Sequence, residues 1–165
     1  MPSQTAIEAL LHLLAESGVR HLFGNPGSFE FPLVDALARQ ERIRYVLGLH
    51  EVPVIGMADG YAQASGGLGV ANVHISPGLG NSMGMLYNAW RSGTPLLLTA
   101  GQQDRRLAFE EPVLWSDLAR VAEPYTKSAV EVRRAEDLPR AVRRAVQQAL
   151  TPPTGPVFLA LPLDL

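Results

Sequence analysis

The chain has 165 residues, 47% hydrophobic and 18% charged, which suits one packed domain and excludes an intrinsically disordered chain. A formal net charge of −2 supplies no electrostatic attraction for nucleic acid or for an anionic membrane as partner. The absence of cysteine removes disulfides, thiolate metal ligands and a thiol nucleophile.

The segment MPSQTAIEALLHLLAESG carries Glu8 and Glu16 and has no basic start before its apolar residues, unlike a signal peptide. Ile7, Leu10, Leu11 and Leu14 recur at helical spacing, with Ser3 as a candidate cap. HLFGNPGS reads as a short strand stopped by Gly24, Pro26 and Gly27, and FPLVDALARQ as a helix. YVLGLH is a strand, VPVIGMADGYAQA a helix and GVANVHIS a strand broken by PGLG, with a helix following in NSMGMLYNAWRSG. TPLLLTAG is the next strand, and residues 102–121 read as loop with a short helix. YTKSAVEV is then a strand, AEDLPRAVRRAVQQAL an amphipathic helix and GPVFLALP the last strand. No apolar run reaches the ~20 residues that cross a bilayer, so a soluble, cytoplasmic protein is the expectation.

Such alternation predicts an α/β fold, three layers, doubly wound, with a mainly parallel sheet of about six strands and helices on both faces. Residues 1–165 read as a single domain without repeat or linker, ending just after the last strand. Ligands of open parallel sheets collect at the carboxyl ends of strands. Three chemically unusual segments fall there: GNPGS, the pair His50-Glu51, and HISPGLGN.

Glu51 stands between two apolar runs. An acid at a helix N-terminus gains roughly 0.3–1 kcal/mol from the macrodipole, and Pro53 in the first turn fits that structural reading. Full burial raises a carboxyl pKa by about 3–5 units, more than the dipole offsets, so a buried Glu51 is expected to be neutral or paired. It would then suit proton exchange with a ligand nitrogen or oxygen.

In GNPGS, Ser28 is the expected cap of a helix beginning near Phe29, with Glu30 and Asp35 as ordinary early-helix and surface acids. Gly78, Gly80 and Gly84, with Asp104 about twenty residues on, leave a dinucleotide-binding reading open. Their spacing is one residue longer than the usual fingerprint. His12 and His21 read as structural or solvent-facing, within and near the end of the first helix. His50 is expected to point to the other sheet face from Glu51, and His74 closes an apolar strand before Ser76-Pro77. No histidine pair has helical metal-ligand spacing, so no metal ligand is assigned. Leu138, Ala141, Val142, Ala145, Val146 and Ala149 form the apolar stripe of a helix whose arginines face solvent, while Trp90 and Trp115 read as packing residues.

FGNPGS, HEVPVIGMADGYAQASG, NVHISPGLGNSMG, YNAW and PLLLTAGQQ, in this order from about residue 5 onward, resemble the pyrimidine-binding domain of thiamine-diphosphate-dependent enzymes. Ser28, His74 and GN.MG..YNAW resemble the benzoylformate decarboxylase branch in particular. The resemblance implies that Glu51 bonds a ring nitrogen of the cofactor's aminopyrimidine and shares a proton with it. This promotes the imino tautomer that activates the thiazolium carbon for attack on a 2-oxo acid. It further implies that Pro26, Gly27, Leu79 and Asn81 border the pyrimidine, that Ser28 bonds the substrate carboxylate, and that His74 positions groups and transfers protons.

The family holds the diphosphate through Mg²⁺ on a Gly-Asp-Gly…Asn segment in a separate domain, and no Gly-Asp-Gly occurs in this sequence. A second active-site histidine, expected beyond this domain, also has no counterpart. The resemblance therefore implies half of an active site, completed by the diphosphate-binding domain of another subunit or by a further part of a longer chain, in a homo-oligomer. An acetolactate-synthase-like carboligase or lyase, a non-catalytic assembly module and the dinucleotide-binding domain stand as alternatives.

Overall fold

Nearly continuous apolar runs form the strands, as a sheet covered on both faces requires. In the computed structural model, which describes residues 5–165, these are β1 (His21–Asn25), β2 (Arg44–Leu47), β3 (Gly69–Val73), β4 (Leu96–Gln102), β5 (Ala129–Glu131) and β6 (Val157–Pro162). They make one six-stranded sheet, every neighbouring pair parallel, in the order β2-β1-β3-β4-β6-β5. All residues of β3, β4 and β6 are buried, whereas the edge strands β2 and β5 are partly exposed.

Among the described residues six α-helices cover the sheet: α1 (Ala6–Glu16), α2 (Phe31–Ala38), α3 (Glu51–Ser65), α4 (Ile75–Ser92), α5 (Leu118–Ala122) and α6 (Leu138–Leu150). α1, α2 and α6 bury Leu10, Leu14, Leu33, Leu138 and Val142 with Val70 and Leu97 on one face. α3, α4 and α5 bury Ile55, Leu79, Leu86 and Leu118 with Val73, Leu98 and Phe158 on the other. The three-layer, doubly wound architecture expected from the sequence is the one observed.

Local departures have simple causes. Ser3 lies outside the described residues; α1 is capped by Thr5, whose hydroxyl accepts from the Glu8 main chain at 3.2 Å while the Glu8 carboxylate accepts from Thr5 N at 2.9 Å. Ser28 is not a cap. Gly27 takes the capping position of a 3-10 turn, Ser28–Glu30, and Ser28 is its first residue. PGLG does not break the chain after β3, because α4 already begins at Ile75. Pro77 then falls among the first helical positions, whose N–H groups need no intrahelical acceptor. His21 opens β1, as the strand reading of HLFGNPGS has it, and β5 keeps only three of the residues read as strand.

The chain runs outward from β1 to β2 and then returns past β1 to β3. The strand order thus reverses between β1 and β3, and the carboxyl ends of these two strands open the crevice where ligands bind in such sheets. Close approach of α3 to β3 depends on Gly69, since a Cβ there would collide with the Ala58 carbonyl. Gly60, exposed on α3, has open space where a Cβ would stand, with nothing within 4 Å. Gly69→Ala is expected to lower stability by at least about 1 kcal/mol, and Gly60→Ala to raise it by about 0.5–1 kcal/mol. Urea unfolding midpoints test this contrast; equal effects would contradict the packing described.

Candidate functional site

Asn25 ends β1, His74 follows β3, and Glu51 opens α3, so the strand reversal brings three polar side chains to one edge. Gly78, in the first turns of α4, lies between two of them. A methyl group there would stand 3.0 Å from Glu51 Oε1 and 3.3 Å from His74 Cβ.

Glu51 is only 6% exposed. Its Oε1 accepts from Asn25 Nδ2 and its Oε2 from Asn81 Nδ2, each at 3.0 Å. Among the described residues it has no Lys or Arg partner. Burial pushes this carboxyl up. Hydrogen bonds from Asn81, its own main chain and Asn25, with the nearby His50, outweigh burial and hold it below the ordinary glutamate value. Of the expected alternatives, neutral or paired, the structure shows pairing, with two neutral amides and not with a cation. His50 does not point to the opposite sheet face either. It lies beyond β2, exposed, and caps α3 by accepting from Val52 N through Nδ1 at 3.2 Å.

Glu30, read from sequence as an ordinary early-helix acid, is 2% exposed. Its Oε2 accepts from Gly27 N at 2.8 Å and faces His74 Nδ1 at 2.8 Å. Its Oε1 accepts from Gly101 N at 2.8 Å and Ile75 N at 3.3 Å. One carboxylate therefore ties together the turn after β1, the start of α4 and the end of β4. Burial and the Glu30 charge also hold the Tyr45 phenol well above its ordinary value.

Ile75 adopts a φ of 24°, a costly conformation for a β-branched residue, and its N–H is one of those bonded to Glu30. The strain falls where the chain turns sharply from His74 into α4. The imidazole stacks on Phe29 with ring centroids 5.9 Å apart, and Gly27 has no room for a side chain against it. With Nδ1 committed to Glu30, Nε2 is the ring nitrogen able to serve a ligand.

Pro26 and Gly27, also expected at the site, are partly buried in the turn after β1, and Ser28 is exposed beside them. Asn81 is exposed on α4 but reaches Glu51. Leu79 is fully buried on the inner side of α4, so any contact it makes with a ligand comes from its main chain. The dinucleotide reading loses its physical basis: α4 starts before Gly78, Gly80 and Gly84, leaving no glycine-rich turn to cradle phosphates. Asp104 caps the 3-10 turn Arg105–Glu110.

Asn25, Glu30 and the strain at Ile75 escaped sequence reasoning. For Glu30 a signal existed: it stands three residues after the turn glycine, the spacing of a capping box.

The profile of the family described as "Thiamine pyrophosphate enzyme, N-terminal TPP binding domain" matches residues 4–113. Benzoylformate decarboxylase of Pseudomonas aeruginosa is 44% identical over 98% of this chain, which covers 30% of that protein. The acetolactate synthase large subunit of Lactococcus lactis is 34% identical over 96% of the chain, covering 28% of that protein. The structure of benzoylformate decarboxylase from Polynucleobacter necessarius superposes with a TM-score of 0.93 at 39% identity, covering 98% of this chain and 30% of the other. That of the thiamine diphosphate-dependent 4-hydroxybenzoylformate decarboxylase of Rhodococcus jostii RHA1 gives 0.93 at 41% identity, covering 97% and 30%.

The chain belongs to the thiamine pyrophosphate enzyme family and is an N-terminal cofactor-binding domain of it. It spans about 30% of the length of these relatives. Its site fits the aminopyrimidine part of such a cofactor: an ionised, buried carboxylate engaged only by neutral amides can accept a ring N–H without first breaking an ion pair.

Replacing Glu30 by Leu would strand the three main-chain donors and the imidazole. Glu30→Leu is expected to cost about 3 kcal/mol or more, whereas Ser28→Ala at its exposed position should change stability by less than about 0.5 kcal/mol. Denaturant titration of the two variants checks this, and a mild Glu30→Leu would dismiss the carboxylate as the organiser of the site.

Proposed function

We propose that this chain is the pyrimidine-binding half of the active site of a thiamine-diphosphate-dependent 2-oxo-acid decarboxylase of the benzoylformate decarboxylase type. The observation that carries the reading is Glu51, buried at the sheet's switch point and hydrogen-bonded by two neutral amides, with His74 on the far side of Gly78.

When bound, the cofactor supplies the electron sink for loss of carbon dioxide. Glu51 holds and returns a proton at the pyrimidine nitrogen, and the low dielectric around it strengthens that coupling. Pro26 and Gly27, with Asn81 and the Leu79 main chain, border the ring. Ser28 donates its hydroxyl to the carboxylate of the 2-oxo acid, its exposed position leaving it accessible. His74, with Nδ1 fixed by Glu30, moves a proton at Nε2.

The half-site reading is supported by what surrounds Glu51. Leu47, Leu49 and Val52 beside it are 59%, 92% and 41% exposed, an apolar rim that suits cover by another domain. A cleft of about 1120 Å³ lies elsewhere, along β5, lined by Trp115, Lys127 and Glu131. The partner is the diphosphate-binding domain of another subunit or of the same longer chain, which holds the diphosphate through Mg²⁺ in a homo-oligomer. An acetolactate-synthase-like carboligation is the second reading, favoured by the 34% identity to the Lactococcus lactis subunit.

The 165-residue chain alone is expected to bind thiamine diphosphate weakly and to leave benzoylformate unchanged; turnover by the purified chain would refute the half-site. In an enzyme completed by a diphosphate-binding domain, Glu51→Gln is expected to slow deuterium exchange at the thiazolium carbon by about 100-fold or more. His74→Ala should slow turnover while leaving that exchange largely intact. Near-normal exchange in Glu51→Gln would take Glu51 out of the mechanism.

A further inference from the structure

Glu51 offers two carboxylate oxygens, and the geometry separates them. Oε1 accepts from Asn25 Nδ2 at 3.0 Å and is enclosed on another side by Gly78, where a methyl would stand only 3.0 Å away. Oε2 accepts from Asn81 Nδ2 at 3.0 Å. Asn81 is exposed on α4, whereas Asn25 is partly buried at the end of β1, locked in register with Val73 of β3.

We infer that Asn25 is a positioning residue for Glu51, anchoring Oε1 against Gly78 so that Oε2, on the exposed Asn81 side, is the oxygen that meets the cofactor's pyrimidine ring. This rests on the cofactor reading proposed above. The residue type follows from that role. A Lys or Arg at this position would lock the carboxylate into an ion pair, and an Asp would repel it; an amide donates a hydrogen bond and adds no charge. The strand end supplies the rigidity, since Asn25 is the last residue of a paired strand. The ionisable groups around Glu51 are His50 on its own helix cap and His74 across Gly78, with Glu30 behind His74; α4 contributes only the neutral Gly78 and Asn81.

The test needs no completed enzyme. In the ligand-free 165-residue chain carrying ¹³C-labelled glutamate carboxyls, the Glu51 resonance is followed by NMR as pH is varied. Asn25→Ala removes a hydrogen bond to the ionised form, so the titration midpoint is expected to rise. Asn25→Asp, nearly the same shape, replaces the donor by a negative charge and is expected to raise it further. Asn88→Ala, at an exposed asparagine of α4, should leave it in place.

If Asn25 merely filled space, the isosteric Asp would be the milder change. An unchanged midpoint in Asn25→Ala, or no further rise in Asn25→Asp, overturns the inference. Should the Ala variant fail to fold, as judged from its amide spectrum, the comparison of Asp with wild type decides. Because the ordering is read without ligand, it stands apart from the cofactor reading. That reading fails if saturating thiamine diphosphate leaves the wild-type Glu51 resonance unmoved.

Discussion

A carboxylate buried at the sheet's edge and hydrogen-bonded by two neutral amides is the constraint around which this domain is arranged. Removing an unpaired charge from water costs several kcal/mol even after relaxation. Each hydrogen bond to a charged group returns about 1.5–3 kcal/mol, and an acid in a first helical turn gains a further fraction. Asn25 and Asn81 therefore offset the burial of Glu51 without neutralising it. That balance requires three elements to meet within hydrogen-bond distance: the end of β1, the start of α3 and the second turn of α4. The reversal of strand order between β1 and β3 is what lets them meet.

A second acid plays the complementary part. Glu30 is more deeply buried than Glu51, and four groups from three segments converge on it. It bonds the backbone at Gly27, Ile75 and Gly101, beside the strained φ of 24° at Ile75, and holds Nδ1 of His74. Glu51 has an exposed amide on one oxygen and so a route for exchange; Glu30 has none. In the function proposed, the two carboxylates divide the work, Glu51 serving proton exchange and Glu30 holding the architecture.

Much of the fold was legible because period and composition act locally. Apolar runs at β3, β4 and β6, the stripe Leu138–Ala149 on α6 and the order of turns sufficed for a doubly wound parallel sheet. What failed depended on tertiary partners. Glu30 resembles any acid in a first turn until β4 brings Gly101 N to it across the sheet. His50 looked like a strand residue because the apolar run continues past the true end of β2. PGLG looked like a break because proline and glycine usually are, yet the first turn of a helix tolerates both. Glu51, Ser28, His74 and Asn81 were named as a set through resemblance; the bonding of Glu51 was not legible, because its two amide partners lie 26 and 30 residues away in the chain.

The open apolar rim of Leu47, Leu49 and Val52 agrees with a domain that acts only when another covers it. In the function proposed, activity turns on whether Oε2 of Glu51 shares a proton with a heterocycle. The most direct measurement is the ¹⁵N shift of the pyrimidine ring nitrogen of labelled thiamine diphosphate, bound to an enzyme completed by a diphosphate-binding domain and to its Glu51→Gln form. A hydrogen-bonded or protonated nitrogen in the wild type, reverting towards the free value in the variant, is the predicted result. The same shift in both proteins would contradict it.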